Sequence, residues 1–289
     1  MNIIHEILRG VWFIEPNYAQ KYIPMVAALL KGQANQNLFQ EQNNQPKQFS
    51  PQIINNTPVV SAYDLMYFPE EIKNNSIFNI SIAGPITKYD QFCGPMGMRT
   101  AARLLKMADD HPNVYAHVVS IDSGGGEGYA GRMLANQISR LKKPVVGFAD
   151  DFSCSAAYMI ASATDHVVAN SNMARIGSIG TYISIVDYSE YFKKEGIKIT
   201  DVYADQSADK NQDYIKALKG DTSQITKLAN AFNDFFLDSI IQNRDSKLTS
   251  DEWKTGKVFF ADQAKDIGLI DDIASFDELI SSMTEQYIH

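Results

Sequence analysis

Twice in this chain an apolar run ends in a turn of small residues that opens directly into a helical stretch, and that order limits the fold to few architectures. Val114 to Ile121 has the composition of a buried strand and runs into Asp122-Ser123-Gly124-Gly125-Gly126-Glu127-Gly128, after which Tyr129 to Leu141 carries a helical pattern. Pro144-Val145-Val146-Gly147-Phe148-Ala149 is the second run. Beyond it, Cys154-Ser155-Ala156-Ala157-Tyr158 enters a helical stretch of small residues, Ala156 to Ala163. Apolar strands alternating with helical stretches predict an α/β domain.

The glycines after the first run let backbone N–H groups turn toward a bound group with no Cβ in the way. Such donors cradle either a phosphate or the oxyanion of an acyl-transfer intermediate. The phosphate alternative fails on detail, since neither the Gly-Lys-Ser/Thr ending of a P-loop nor Gly-x-Gly-x-x-Gly spacing is present. An oxyanion hole remains.

Ser155, at the second turn, has two readings: a helix N-cap, for which serine is among the preferred residues, or a nucleophile. A serine nucleophile needs a base, usually histidine. Of the five histidines, His5 and His289 lie near the termini, His111 precedes Pro112 in a turn, and His117 and His166 sit in or at the start of apolar strands. All five fit structural or solvated roles. The other base known for such serines is a lysine kept neutral by desolvation. Lys210, in Ala204-Asp205-Gln206-Ser207-Ala208-Asp209-Lys210-Asn211, follows the strand-like run Ile197 to Ala204. On residue chemistry alone it reads more readily as an exposed surface lysine.

At this point the chain resembles a family, the signal peptide peptidase A family of serine peptidases, and within it the capsid-assembly or prohead proteases of tailed phages. The resemblance spans about residues 77 to 275. Ile121-Asp122-Ser123-Gly124-Gly125-Gly126 is similar to the family's Ser-Pro-Gly-Gly loop, with Gly124 where proline is usual. Ser155-Ala156-Ala157-Tyr158 through Ala169-Asn170 resembles the nucleophile helix and the strand after it. Gly177-Ser178-Ile179-Gly180 resembles the family's Gly-Ser-Ile-Gly, and Lys210 falls where the family has its general base. Gly256-Lys257-Val258-Phe259 and Gly268-Leu269-Ile270-Asp271 resemble the closing block. Each block is weak alone; their common order is specific.

The resemblance implies a Clp/crotonase-like α/β fold of repeated β-β-α units and a serine endopeptidase with a Ser-Lys dyad and no cofactor. Ser155 would be the nucleophile, Lys210 the base, Ser178 the residue that positions the lysine, and the N–H groups of Gly125 and Ala156 the oxyanion hole. It further implies a homo-oligomeric ring that acts in the host cytoplasm, inside the assembling phage head, on capsid, scaffold or portal proteins. A crotonase-like acyl-CoA enzyme shares the fold and paired N–H donors but needs no serine. A catalytically silent head-assembly subunit is the reading from a different class.

Composition agrees with such a protein. At 289 residues and 45% hydrophobic, the chain can supply a sizeable core. A net charge of -8 argues against electrostatic nucleic-acid binding. Cys93 and Cys154 are the only cysteines and have no metal-ligand spacing, so neither a disulfide framework nor a zinc site is expected. Val11 to Leu30 is broken by Glu15, Pro16, Lys21 and Pro24, well short of the roughly 20 apolar residues of a spanning helix. It also lacks the pattern of a secretory signal.

Three parts are expected: a helical arm over residues 1–31, on the spacing of Tyr18, Tyr22, Met25, Val26 and Leu29; a Gln/Asn-rich flexible linker over 32–58, with Pro46, Pro51 and Pro58; and a peptidase domain over 59–289. Ile225, Leu228, Phe232, Phe235, Phe236 and Ile240 form a helical stripe that suits a core or an oligomer interface. The linker is too polar to offset its ordering entropy, so it is the expected site of nicking. Intact masses should show cleavage within 32–58 in wild type and not in Ser155→Ala. The same truncation in both proteins would mean that foreign proteases made it.

Overall fold

A computed structural model describes residues 12–14, 48–91, 94–185, 187 and 189–288. In chain order its elements are β1 (Trp12–Ile14), β2 (Gln52–Ile54), β3 (Thr57–Ser61), α1 (Ala62–Tyr67), β4 (Ser76–Ala83), α2 (Met98–Asp110), β5 (Val114–Ser123), β6 (Gly125–Glu127) and α3 (Gly128–Ile138). There follow β7 (Val145–Cys154), α4 (Ala156–Ser162), β8 (His166–Ala169), β9 (Arg175–Gly177), α5 (Ser189–Lys194), α6 (Gln212–Leu218) and α7 (Ser223–Arg244). β10 (Val258–Phe260), α8 (Ala261–Asp266), β11 (Asp272–Ile273) and α9 (Phe276–Ile288) close the chain.

Most of the arm 1–31 lies outside the described residues. Where it is described, at Trp12–Ile14, it is a strand and not a helix. β2 lies inside the segment expected as linker, so the sheet begins ahead of residue 59.

The α/β class is as expected. The main sheet runs β10-β9-β7-β5-β4-β3-β2, with β8 also on β7 and β11 on β8. Its centre is parallel, β3-β4-β5-β7-β9, and both ends are antiparallel. β-β-α units occur at β2-β3-α1 and at β5-β6-α3. β7 does the work of two strands: Val146–Ala149 pairs with β8, and Phe152–Cys154 pairs with β9.

β5 is buried and largely apolar on both faces because both are covered, as in parallel sheets generally. On one face Ile77, Val118, Phe148 and Val168 pack with Leu279, Ile280 and Met283 of α9. Helix α2 packs on β5 and β4 and buries Met98, Ala101, Leu104, Leu105 and Ala108, the spacing of a single helical stripe. The helical stripe expected at 225–240 divides: Phe236 and Ile240 are fully buried, whereas Leu228 and Phe235 are 41% and 67% exposed.

The chain forms two compact units, residues 1–180 with 236–289, and residues 181–235. The sheet belongs to the first. The second holds α5, α6 and the first part of α7, and leaves Ile197, Ile199 and Val202 more than half exposed.

His117 is buried on β5, with Nε2 3.4 Å from Asp109, whose carboxylate also accepts the N–H groups of Lys142 and Lys143. Burial pulls the imidazole down to about 4, overriding the raising effect of Asp109. The unfolded chain, with an ordinary histidine near ~6.5, therefore binds this proton more readily than the folded one. The histidine's contribution is complete above that value and is lost as pH falls toward 4, an effect on the order of 3 kcal/mol. Denaturant titrations at pH 7 and 5 should show wild type losing stability. His117→Phe should lose markedly less over that interval; equal losses would refute the assignment.

Candidate active site

β5 and β7 are parallel, with Ser123 level with Ser153. Two residues beyond that rung lie Gly125 on one strand's exit and Ser155 on the other's. β9 flanks the far side of β7, with Gly177 level with Cys154, so Ser155 and Ser178 each leave their strands one residue later. The Ser155 N–H donates to the Gly177 carbonyl at 2.7 Å and ties the two exits together. Ser155, Ala156, Gly125 and Ser178 thus gather at the C-terminal ends of adjacent parallel strands, where open α/β sheets receive ligands.

Ser155 has φ 57° and ψ −123°, a region that costs a non-glycine residue on the order of 1–3 kcal/mol. The turn lets a straight strand feed α4 within one residue and leaves the side chain at the bend. Its hydroxyl makes no cap bond to α4. The residue is 1% exposed, and its Oγ has no hydrogen-bond partner among the described residues. The cap reading is therefore excluded here. Ser153 Oγ is likewise buried and unpartnered among them, but Ser153 sits within the strand and is not one of the positive-φ residues.

The glycine loop is braced from within. Ser123 Oγ donates to the Gly84 carbonyl at 2.6 Å and accepts the Gly125 N–H at 3.1 Å. The expected oxyanion donor Gly125 is thus already engaged. Ile86 then pairs along β6, its N–H on the Gly125 carbonyl at 2.9 Å and its carbonyl accepting the Glu127 N–H at 2.8 Å. A Cβ on Gly126 would stand 2.2 Å from the Ile86 oxygen, so only glycine allows this approach. Successive peptide groups of a strand face opposite edges. Gly126 therefore turns its N–H and carbonyl to the other edge.

Ser178, 6% exposed and at φ 49°, is held by the C-terminal block. Its N–H donates to the Lys257 carbonyl at 2.8 Å, and the Gly256 N–H donates to the Ile179 carbonyl at 3.0 Å. Gly177 has φ +109°, and a Cβ there would meet the Lys257 oxygen at 2.8 Å, which makes glycine necessary on both counts. Behind α4, the Tyr158 hydroxyl donates to the Leu269 carbonyl at 2.6 Å. Arg244, 1% exposed, binds Asp271 at 2.7 Å and the Gly268 carbonyl at 2.8 Å. Burial would raise the Asp271 carboxyl, but hydrogen bonds from Arg244, Lys247 and the Val167 N–H hold it at about 2.

Lys210 belongs to the second unit, in an exposed turn where its N–H donates to the Ser207 carbonyl at 3.1 Å. The first unit brings together the other four expected residues and does not include this one. No group of His, Cys, Asp or Glu among the described residues could hold a metal. In the sequence, Ser123, Gly126 and Lys257 read only as members of their motifs, with no individual role. A serine ahead of three glycines is a usable sign of a braced loop, whereas a backbone carbonyl leaves no trace in residue identity.

The profile of Peptidase family S49 matches residues 137–287, more than half of the chain and including Ser155, Ser178 and Lys210, so the chain belongs to that family. It is 28% identical to Protease 4 of Haemophilus influenzae, over 74% of this chain and 35% of that protein. It is 28% identical to the head-tail preconnector protein GP5 of Enterobacteria phage P21, over 66% of this chain and 38% of that one. With capsid assembly protease C of Escherichia phage lambda the identity is 30%, over 45% of this chain and 31% of the other. The chain thus spans about a third of the length of these relatives. No helix among the described residues is long and apolar enough to cross a membrane.

The strained turn gives a stability test. At the φ and ψ of Ser155, glycine is unstrained and alanine is not, so Ser155→Gly should be more stable than Ser155→Ala by about 1 kcal/mol. Equal stability by denaturant titration would mean that the turn is relaxed.

Proposed function

We propose that the chain is a serine endopeptidase working through Ser155 and Lys210. The observation that carries this reading is Ser155 itself: a buried serine at a strained strand-to-helix turn, with no cap bond and no partner for its hydroxyl among the described residues, inside the region matched to a peptidase family. A structural serine would use its hydroxyl, because an unsatisfied buried donor is costly.

In this mechanism the neutral amine of Lys210 takes the Ser155 Oγ proton as the oxygen attacks the scissile carbonyl. The oxyanion is held by the Ala156 N–H and the glycine loop. Gly125 can serve if the oxyanion, a stronger acceptor than a hydroxyl, displaces Ser123 Oγ; Gly126 turns its N–H to the edge away from Ile86, opposite Phe13 of β1. Collapse expels the amine, which takes the proton from Lys210, and leaves an acyl-enzyme. Water, deprotonated by Lys210, then releases the carboxylate. Ser178 positions the lysine amine.

A lysine acts as a base only when desolvated enough to be neutral. Lys210 is exposed on its own unit, so the reading requires that it be covered in the working assembly. The apolar residues left exposed on the same unit, Ile197, Ile199 and Val202, suit burial against neighbouring copies in a homo-oligomeric ring. The phage relatives named for capsid assembly and the head-tail preconnector support head proteins as substrates and the host cytoplasm, inside the assembling head, as the setting.

Co-expression with the capsid, scaffold and portal proteins, followed by mass-spectrometric mapping of new N-termini, tests this reading. Wild type should generate them and Ser155→Ala should not. Lys210→Arg and Lys210→Met should both fall by at least ~100-fold, the scale of a lost general base, because a guanidinium does not deprotonate and a thioether has no basic nitrogen. Ser178→Ala should be slowed but active. Normal cleavage by either lysine variant would move the base elsewhere.

A further inference from the structure

β6 follows the glycine loop directly, and it is paired on both edges. On one edge stands Ile86. On the other lies β1, antiparallel, with Trp12 opposite Glu127, Phe13 opposite Gly126 and Ile14 opposite Gly125. β1 and β6 form a two-stranded sheet separate from the main one. Since the Gly125 carbonyl and the Glu127 N–H point to Ile86, the groups that face β1 are the N–H and carbonyl of Gly126. These are the groups of the loop beside Ser155 that neither Ser123 nor Ile86 takes up, and α4, whose first turn Ser155 opens, packs against β6.

An extended segment added to a strand edge is a standard way for a protein to hold a polypeptide, because main-chain bonds give affinity whatever the side chains. The edge of β6 suits such a ligand, and a segment of the same chain is already on it. Its direction fits too: β1 runs toward the Gly125 end of β6, the end level with Ser155. Three residues held by main-chain pairing in a two-stranded ribbon are only marginally stable. Such a strand can be displaced.

We propose that Trp12–Ile14 is an intramolecular competitor, occupying the edge on which an extended polypeptide substrate must lie and lowering apparent affinity until it is displaced. This rests on the peptidase reading above. The strand takes no part in the chemistry, so weakening it should lower KM and leave kcat unchanged, in the manner of any occupant that reduces the fraction of competent sites.

The test uses the full chain and one substitution, Phe13→Pro, which removes the N–H that faces the Gly126 carbonyl; replacing all of Trp12, Phe13 and Ile14 by glycine is the second variant. In a Ser155→Ala background, hydrogen exchange at Gly126 should accelerate in both variants. A synthetic peptide of residues 9–17 should bind the variants and restore protection, while the parent with its own strand in place excludes it. With Ser155 present, KM for an unfolded protein substrate should fall roughly fivefold or more at constant kcat. Unchanged exchange at Gly126, equal peptide binding by parent and variants, or an unchanged KM would each overturn the proposal. If every Ser155-containing protein were inactive, the peptidase reading would fail, while exchange and peptide binding would still decide whether the strand occupies the edge.

Discussion

The parallel pairing of Val145–Cys154 with a neighbour on each side is the constraint on which the site depends. It places the exits of three strands side by side, and the bond from the Ser155 N–H to the Gly177 carbonyl fixes one exit against the next. Every other feature follows from that shared edge. The glycine loop can approach because Gly126 has no side chain, and Ser178 sits beside Ser155 because Gly177 can take a positive φ against the Lys257 carbonyl. A loop site without these ties would have to order each group separately, at a cost of about 1–2 kcal/mol of backbone entropy per residue.

Rigidity at the edge is supplied from the far end of the sequence. Lys257 and Gly256 clamp the Ser178 turn, Leu269 accepts the Tyr158 hydroxyl, and the buried Arg244–Asp271 pair secures the segment that carries Leu269. A buried pair of this kind is costly to break from one side, since the remaining charge is left uncompensated. The strain at Ser155 can persist because these contacts over-determine it. Stability invested in the C-terminal block is what lets the turn hold an unfavourable geometry.

The strands were legible because parallel sheets bury both faces and leave continuous apolar runs such as Val114–Ile121. Ser155 was legible as a turn residue, but whether its hydroxyl capped the helix was not, because the cap depends on a backbone angle that residue type does not set. In the glycine loop, composition announced backbone donors without saying which edge each would face; the answer lies in where Ser123 and Ile86 bond. Trp12–Ile14 read as part of a helical arm because local spacing carries no information about a partner more than a hundred residues away. The division at 181–235 was equally hidden, since a helix that is half core and half exposed keeps one unbroken stripe from Ile225 to Ile240.

Peptide-level mass spectrometry after treatment with a fluorophosphonate probe tests the central claim most directly. The reagent reacts with a serine only where a base activates it and donors stabilise the adduct, so it reports on chemistry and not on sequence. A single adduct on Ser155, abolished in Lys210→Met, is the predicted result. No adduct at Ser155 in a folded, assembled protein, or an adduct confined to Ser153 or Ser178, would contradict it.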